Sequence, residues 1–224
     1  MMCCLLSGAR SLRLVLRPAF VIRNAKCKLS SPSPLIGLHN THRCKSNMAA
    51  PDLSDGKEYW QYRYSEGHTE WQVDQVYPML VRNYEKMVPD GKAKKVFYPM
   101  CGTSLELEWL VKQGATVVGV EIAMQAIETY VSNSTQKWTN SDVPGLGSAA
   151  KVFTREDKKM KLYCTDIQEF SPKLEGKFDA IYDRGSLQFV PPENVSSYAE
   201  VLKSLLKPKG RILQEVLEYD LKIF

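Results

Sequence analysis

The stretch Lys95–Ile122, KVFYPMCGTSLELEWLVKQGATVVGVEI, decides the fold. It reads as strand, tight turn, helix and strand. Val96, Phe97 and Tyr98 are a short β-prone run closed by Pro99, and Gly102 marks the turn. Thr103-Ser104-Leu105-Glu106 has the spacing of a capping box, which predicts a helix start there with Glu106 reaching back to the cap. Leu107, Leu110 and Val111 follow at helical spacing, with Leu105 and Trp109 in the adjacent row. Gly114 is placed to close the helix in the left-handed conformation. Thr116–Val120 is an apolar run of the kind found in strands buried on both faces, and Glu121 ends it.

A helix N-terminus facing the carboxyl end of a parallel strand makes a cofactor crevice, and an acid at the tip of the next strand can hold both ribose hydroxyls. Glu121 lies 19 positions after Gly102, close to the spacing of about 20 expected of a nucleoside-binding unit. The G-x-G-x-x-G fingerprint is absent. A pyrophosphate needs several glycines for close backbone approach, so one glycine fits a ligand with an adenosine end and no phosphates, such as S-adenosylmethionine. The plainer reading is an ordinary βαβ unit with a surface glutamate. A nicotinamide-dependent oxidoreductase would need more turn glycines.

Three stretches resemble the thiopurine S-methyltransferase family: Phe97-Tyr98-Pro99-Met100-Cys101-Gly102, Val118-Gly119-Val120-Glu121-Ile122, and Phe178-Asp179-Ala180-Ile181-Tyr182-Asp183-Arg184-Gly185. The resemblance runs from about Glu58 to Asp220. It implies an α/β fold, a Rossmann-like class I methyltransferase sheet with helices on both faces. It also implies S-adenosylmethionine as cofactor, a small aromatic thiol as substrate, and a monomer in the cytoplasm. By the same resemblance Trp60, Gln61, Tyr64, Gly67, Trp71, Met100, Glu121, Asp166, Ile167 and Arg184 bind the cofactor. Within that set Glu121 holds the ribose, Asp166 and Ile167 the adenine, and Met100 with the Trp60–Trp71 segment the methionine side. Trp71 stands where the family usually has Phe and is also expected to touch substrate. Arg184 is the expected catalytic residue, orienting an anionic thiol or carboxylate.

The residues themselves leave alternatives at several of these positions. Asp166 follows a strand, where an aspartate commonly caps the next turn. Arg184 follows Asp183 at a strand's carboxyl end, where α/β sheets place ligands, but it can equally pair with Asp183 alone. The clustered aromatics Tyr59, Trp60, Tyr62, Tyr64 and Trp71 can also be plain core packing.

Working outward, a helix has Pro78 in its first turn and an apolar face of Leu80, Val81, Tyr84 and Met87, and Pro89-Asp90-Gly91 ends it. Ala123–Val131 is a second sheet-layer helix, and Ser132–Ala150 a polar surface loop. Val152-Phe153 and Leu162-Tyr163-Cys164 flank a charged turn and form a hairpin. Phe178–Tyr182 is a strand and Glu193–Leu206 a helix, which Lys207-Pro208-Lys209-Gly210 ends. Arg211–Asp220 is a fifth strand.

At 224 residues the chain can form one sizeable core. Its net charge of +5 is uneven. Residues 1–51 hold eight basic side chains and no acid; the rest carries 22 basic against 25 acidic residues, a net of −3. The body is therefore not a nucleic-acid binder by charge. The first segment, residues 1–51, reads either as an Arg-rich mitochondrial presequence or as a leader before an alternative start at Met48. Residues 52–224 are the methyltransferase domain. No run of about 20 apolar residues exists, so no membrane span is expected. Of six cysteines only Cys101 and Cys164 fall in the body, as expected of reduced thiols. Cys27, His39, His42 and Cys44 fit no standard zinc spacing, so no metal site is expected. His68, the body's single histidine, has no catalytic assignment.

The family continues past Asp220 with a helix and two more strands, whereas this chain ends at Leu221-Lys222-Ile223-Phe224. The sheet is therefore expected to lack its last strands, and the domain to be C-terminally incomplete and weakly soluble. The corresponding alternative function is a catalytically impaired isoform that binds the cofactor weakly or not at all.

Overall fold

The computed structural model describes residues 56–91, 94–147 and 149–216. Helices α1 (Gly56–Ser65) and α2 (Pro78–Met87) precede the sheet. Then come β1 (Lys95–Pro99), α3 (Glu106–Lys112), β2 (Thr116–Glu121), α4 (Met124–Ser132), β3 (Trp138–Asp142), β4 (Lys151–Arg155) and β5 (Met160–Cys164). The short α5 (Pro172–Glu175), β6 (Phe178–Arg184), α6 (Val195–Leu205) and β7 (Leu206–Glu215) complete the described chain. Seven strands form one sheet in the order β3-β4-β5-β2-β1-β6-β7. The β5, β2, β1, β6 and β7 strands run parallel; β3 and β4 are antiparallel additions at one edge.

Alternation along the central strands sends side chains to two cores. Val96 and Tyr98 of β1, Val117 of β2 and Ala180 and Tyr182 of β6 pack with Leu80 and Tyr84 of α2, Leu107 and Leu110 of α3 and Ile127 of α4. Phe97, Val118, Val120 and Ile181 point the other way, onto Phe170 and onto Tyr198, Leu202 and Leu205 of α6. Helices thus cover both faces, which is why these strands read as continuous apolar runs. Gly119 is needed in β2 because a Cβ there would lie 2.7 Å from the Cys101 sulfur and 2.8 Å from Leu162.

Three expectations are corrected. The capping box does not form: α3 starts at Glu106, with no side-chain cap. Ser104 instead bonds the Tyr98 hydroxyl at 2.9 Å, and Glu106 is drawn into the interior by other partners. The polar loop contains a strand, β3, whose sequence WTNSD carries no apolar alternation because it is mostly exposed and held by its ladder to β4. Lastly, Lys207–Gly210 does not separate helix from strand. The α6 helix ends at Leu205, Leu206 already pairs with Phe178, and residues 207–210 bulge before the register resumes at Ala180–Arg211. Pro208 is tolerated because β7 pairs only with β6 among the described residues and the proline sits in the bulge. The first segment and the chain's end, including the candidate zinc residues, lie outside the described residues.

Candidate active site

The carboxyl ends of the parallel strands β1, β2, β5 and β6 meet along one edge, and the singled-out residues gather there. The turn after β1 holds Met100, which has a left-handed φ of 46°, and Gly102, at 52°. A non-glycine residue in this region is strained, and such strain persists only where surrounding structure holds it. The turn brings the Gly102 amide to Glu121 Oε2 at 2.9 Å, while the Ala123 amide donates to Oε1 at 2.9 Å. Glu121 is buried, and burial raises its pKa above the usual carboxylate value although the amides of Ala123, Gly102 and Ile122 pull it down. An acid held this way is fixed in place at the tip of β2.

Helix α1 lies across this edge. The side-chain Oε1 of its Gln61 accepts from the Gln125 backbone amide near the start of α4, at 3.2 Å. Tyr64 reaches over the turn so closely that a Cβ on Gly102 would sit 2.5 Å from its hydroxyl; Gln72 donates to that hydroxyl at 3.2 Å. Gly102 is therefore required twice, for its φ and for the tyrosine above it. Burial pushes the Tyr64 phenol well above its usual pKa, with the Glu121 charge adding to the effect. Trp60 packs edge-on against Trp71 at 5.3 Å and Phe189 at 4.9 Å. Trp71 also meets Tyr64 at 5.8 Å and lies under the Arg63 guanidinium at 4.8 Å. The aromatic segment thus forms a lid over the β1 turn. Gly67 ends α1 with φ 72° in an exposed turn and has open space about it.

Asp166 and Ile167 follow β5. Asp166 is exposed and caps a short turn, its Oδ1 accepting from the Gln168 amide at 2.9 Å, while Ile167 is buried. The capping role weighed for Asp166 is thus present at the strand end, beside Glu121's strand. Arg184 does not pair with Asp183. Its guanidinium donates to Glu106 at 3.3 Å and to the Trp71 carbonyl at 3.1 Å, and stacks over the Tyr77 ring at 5.3 Å. Asp183 is fully buried on the other face, accepting from Tyr198 at 3.0 Å and Gln214 at 2.8 Å. Glu106 Oε1 also accepts from the Tyr77 amide at 3.0 Å.

Glu106, Tyr77 and Glu215, which the strand register sets beside Arg184, belong to this cluster although none of them drew a functional assignment from the sequence. Glu106 carried the signal of a helix cap and Tyr77 that of a helix-flanking aromatic. The alternation in β6 placed Tyr182 and Arg184 on one face, but nothing in the sequence joined them to Glu106 or Glu215. Among the described residues no group of His, Cys, Asp and Glu could hold a metal, and no helix is long and apolar enough to cross a membrane.

The residues fit a bound adenosyl cofactor: a bare glycine turn, a buried acid at the adjacent strand tip and an exposed acid at the next are set along neighbouring parallel strands. The fold agrees. Burkholderia thailandensis 1,6-didemethyltoxoflavin-N1-methyltransferase, solved with 1,6-didemethyltoxoflavin and S-adenosylhomocysteine, superimposes with a TM-score of 0.54 at 16% identity, over 80% of this chain and 73% of that one. The architecture is that of the S-adenosylmethionine-dependent methyltransferases. Residues 56–222 match the family model for thiopurine S-methyltransferase. A probable thiopurine S-methyltransferase of Danio rerio is 32% identical over 176 residues, 77% of this chain and 72% of that protein. Thiopurine S-methyltransferase of Mus musculus is 33% identical over 168 residues, 75% of this chain and 68% of that protein. The chain belongs to the thiopurine S-methyltransferase family, a family of S-adenosylmethionine-dependent enzymes.

Proposed function

We propose that residues 52–224 transfer a methyl group from S-adenosylmethionine to the sulfur of a small aromatic or heterocyclic thiol, leaving S-adenosylhomocysteine. The observation that supports this most is the convergence of the aromatic lid and Arg184 on the strand ends that carry Glu121. Glu121 takes the ribose hydroxyls, Asp166 accepts from the adenine amine, and Ile167 packs on the ring. Met100 and the segment holding Trp60, Gln61, Tyr64, Gly67 and Trp71 enclose the methionine side. Trp71 also borders the thiol, a wider indole in place of the family's Phe.

When bound, the cofactor supplies the sulfonium methyl. The protein's share is alignment and exclusion of water. Attack by a thiolate on a sulfonium cancels charge as the transition state forms, so a dry pocket favours reaction over water. Aromatic thiols ionise easily, so no strong general base is required. Arg184, held on the lid's backbone through the Trp71 carbonyl, orients the thiolate. The chain acts as a monomer on a free small molecule, in the cytoplasm.

Calorimetric titration of the full chain with S-adenosylhomocysteine, followed by a thiol-methylation assay, tests this. Micromolar binding that Glu121→Ala abolishes, with methyl transfer to thiophenol, is the expected result. A folded chain that binds no cofactor would sink the proposal. Binding without transfer to any thiol would leave a cofactor-binding protein that is not a thiol methyltransferase.

A further inference from the structure

The lid carries a fork of contacts centred on Arg63, in the last turn of α1. Its Nη1 donates to the Tyr59 hydroxyl one turn back at 2.7 Å, its Nε to the His68 carbonyl at 3.0 Å, and its Nη2 to Glu70 at 2.7 Å. The guanidinium carbon also sits 4.8 Å from the centre of the Trp71 ring and 5.7 Å from that of Tyr59. The backbone adds a tie in the same place, because the His68 amide donates to the Arg63 carbonyl at 2.9 Å. One planar group thus joins α1 to the chain beyond the turn at Gly67 and covers the aromatic ring that follows.

Stability of the fold does not account for this fork. The Arg63 and Glu70 side chains are 24% and 72% exposed, and ion pairs this open contribute little in water. What the fork fixes is position. It ends on Trp71, whose ring also meets the edges of Trp60 and Tyr64 and whose carbonyl accepts from Arg184 at 3.1 Å. Arginine suits the place because its rigid planar group can bond two partners and stack on an aromatic face at once, which a lysine ammonium cannot. The rest of α1 is held independently of Arg63, through Gln61 on the Gln125 amide and through Gln72 on the Tyr64 hydroxyl.

We propose that Arg63 is a positioning residue for the thiol: it closes residues 66–70 into a fixed turn and holds the Trp71 ring, and so sets the KM of the thiol without touching it. This rests on the thiol-methyltransferase reading above. Glu70 belongs to the same device, since it draws the guanidinium back over the turn. The rival role is a direct contact between Arg63 and the thiolate, and Glu70 separates the two by sign. In the positioning role, Glu70→Gln loosens the fork and raises KM. With a direct contact, losing the carboxylate frees positive charge for the anion and lowers KM.

The test uses the full chain with thiophenol and S-adenosylmethionine, in wild type, Arg63→Met, Arg63→Lys, Glu70→Gln, Trp71→Ala and the double variant of Arg63→Met with Trp71→Ala. The quantities read are kcat, the KM of thiophenol and the Kd of S-adenosylhomocysteine. Arg63→Met keeps an apolar stem over the ring; it is expected to raise KM about fivefold while kcat and the Kd stay within about twofold. Arg63→Lys keeps the charge but not the fork, so KM stays raised. Glu70→Gln, at an exposed position that leaves folding intact, raises KM about twofold. In the Trp71→Ala background Arg63→Met has no further effect, because the ring it holds is gone. An unchanged KM in Arg63→Met, full recovery in Arg63→Lys, a lower KM in Glu70→Gln, or an undiminished effect without Trp71 would overturn the positioning role and leave the thiol reading standing. If the wild type methylates no thiophenol, the thiol reading falls and the positioning role with it.

Discussion

Glu106 and Arg184 stand 78 residues apart and meet at 3.3 Å, with side chains only 1% and 12% exposed. The same carboxylate oxygen accepts the Tyr77 amide. One acid thus ties the start of α3 to the end of β6 and to the segment leading into α2. Removing one partner of a buried pair leaves the other charge uncompensated, at a cost of about 3 kcal/mol or more. Glu106→Ala is expected to lower the urea midpoint accordingly, and Glu106→Gln, which keeps an acceptor for Tyr77, to lower it less. Equal midpoints for wild type and Glu106→Ala would show that the pair contributes nothing.

The close approach of Tyr64 to Gly102 gives a double-mutant test. Gly102→Ala places a Cβ 2.5 Å from the phenol oxygen and strains a φ of 52°. Together these are expected to cost about 1–3 kcal/mol. Tyr64→Phe removes the oxygen that clashes and leaves the φ strain, so the penalty for Gly102→Ala shrinks in that background. A coupling energy below about 0.5 kcal/mol would mean that the two residues act independently.

Glu121 sets a pH dependence. Burial raises its pKa above the ordinary 4.5. The folded state therefore holds its proton to higher pH than the unfolded chain, and the Glu121 contribution to stability falls as pH rises from that ordinary value through the folded one. In the proposed cofactor complex the dependence runs the other way, because ribose hydroxyls would donate to the ionised form. Affinity for S-adenosylhomocysteine is expected to rise as pH climbs through the raised pKa and then to level off. Glu121→Gln should abolish that rise; a rise of the same size in the variant would assign it to another group.

At the opposite edge of the sheet Glu175 is the counterpart. Burial alone would raise its pKa, but hydrogen bonds from Lys161, Lys95 and Tyr163 outweigh this and hold it below 4.5. A depressed folded pKa contributes stability that is present above the unfolded value and lost as pH falls through the folded one. Glu175→Gln should therefore flatten the loss of thermal stability on acidification below about pH 5, and a variant melting curve that falls as steeply as wild type would contradict this.

Trp71 is proposed to border both the thiol and the methionine side of the cofactor, and a phenyl ring there keeps an aromatic face toward each. Its ring packs on Trp60 and under Arg63 rather than against Glu121. Trp71→Phe is expected to change KM for aromatic thiols by about tenfold and to leave S-adenosylhomocysteine affinity within about twofold. A parallel loss of cofactor affinity would show that the extra width of the indole serves the cofactor rather than the thiol.

The sequence by itself determined the central βαβ unit and the residues around its turn. A short apolar run such as Thr116–Val120, bounded by Gly114 and Glu121, suits a strand covered on both faces, and a lone glycine at Gly102 with an acid 19 positions later is a local pattern. Tertiary structure decided the rest. Strand β3 exists because β4 offers a ladder, not because WTNSD prefers to be extended. Glu106 is a helix cap by local spacing, yet burying Arg184 beside it is worth more than a terminal hydrogen bond, so the cap is given up. The position of Arg184 beside Glu215 follows from the register of β6 and β7, which a bulge at residues 207–210 sets. Periodicity is a property of neighbours in sequence; partners 78 residues apart are chosen by which faces the sheet brings together.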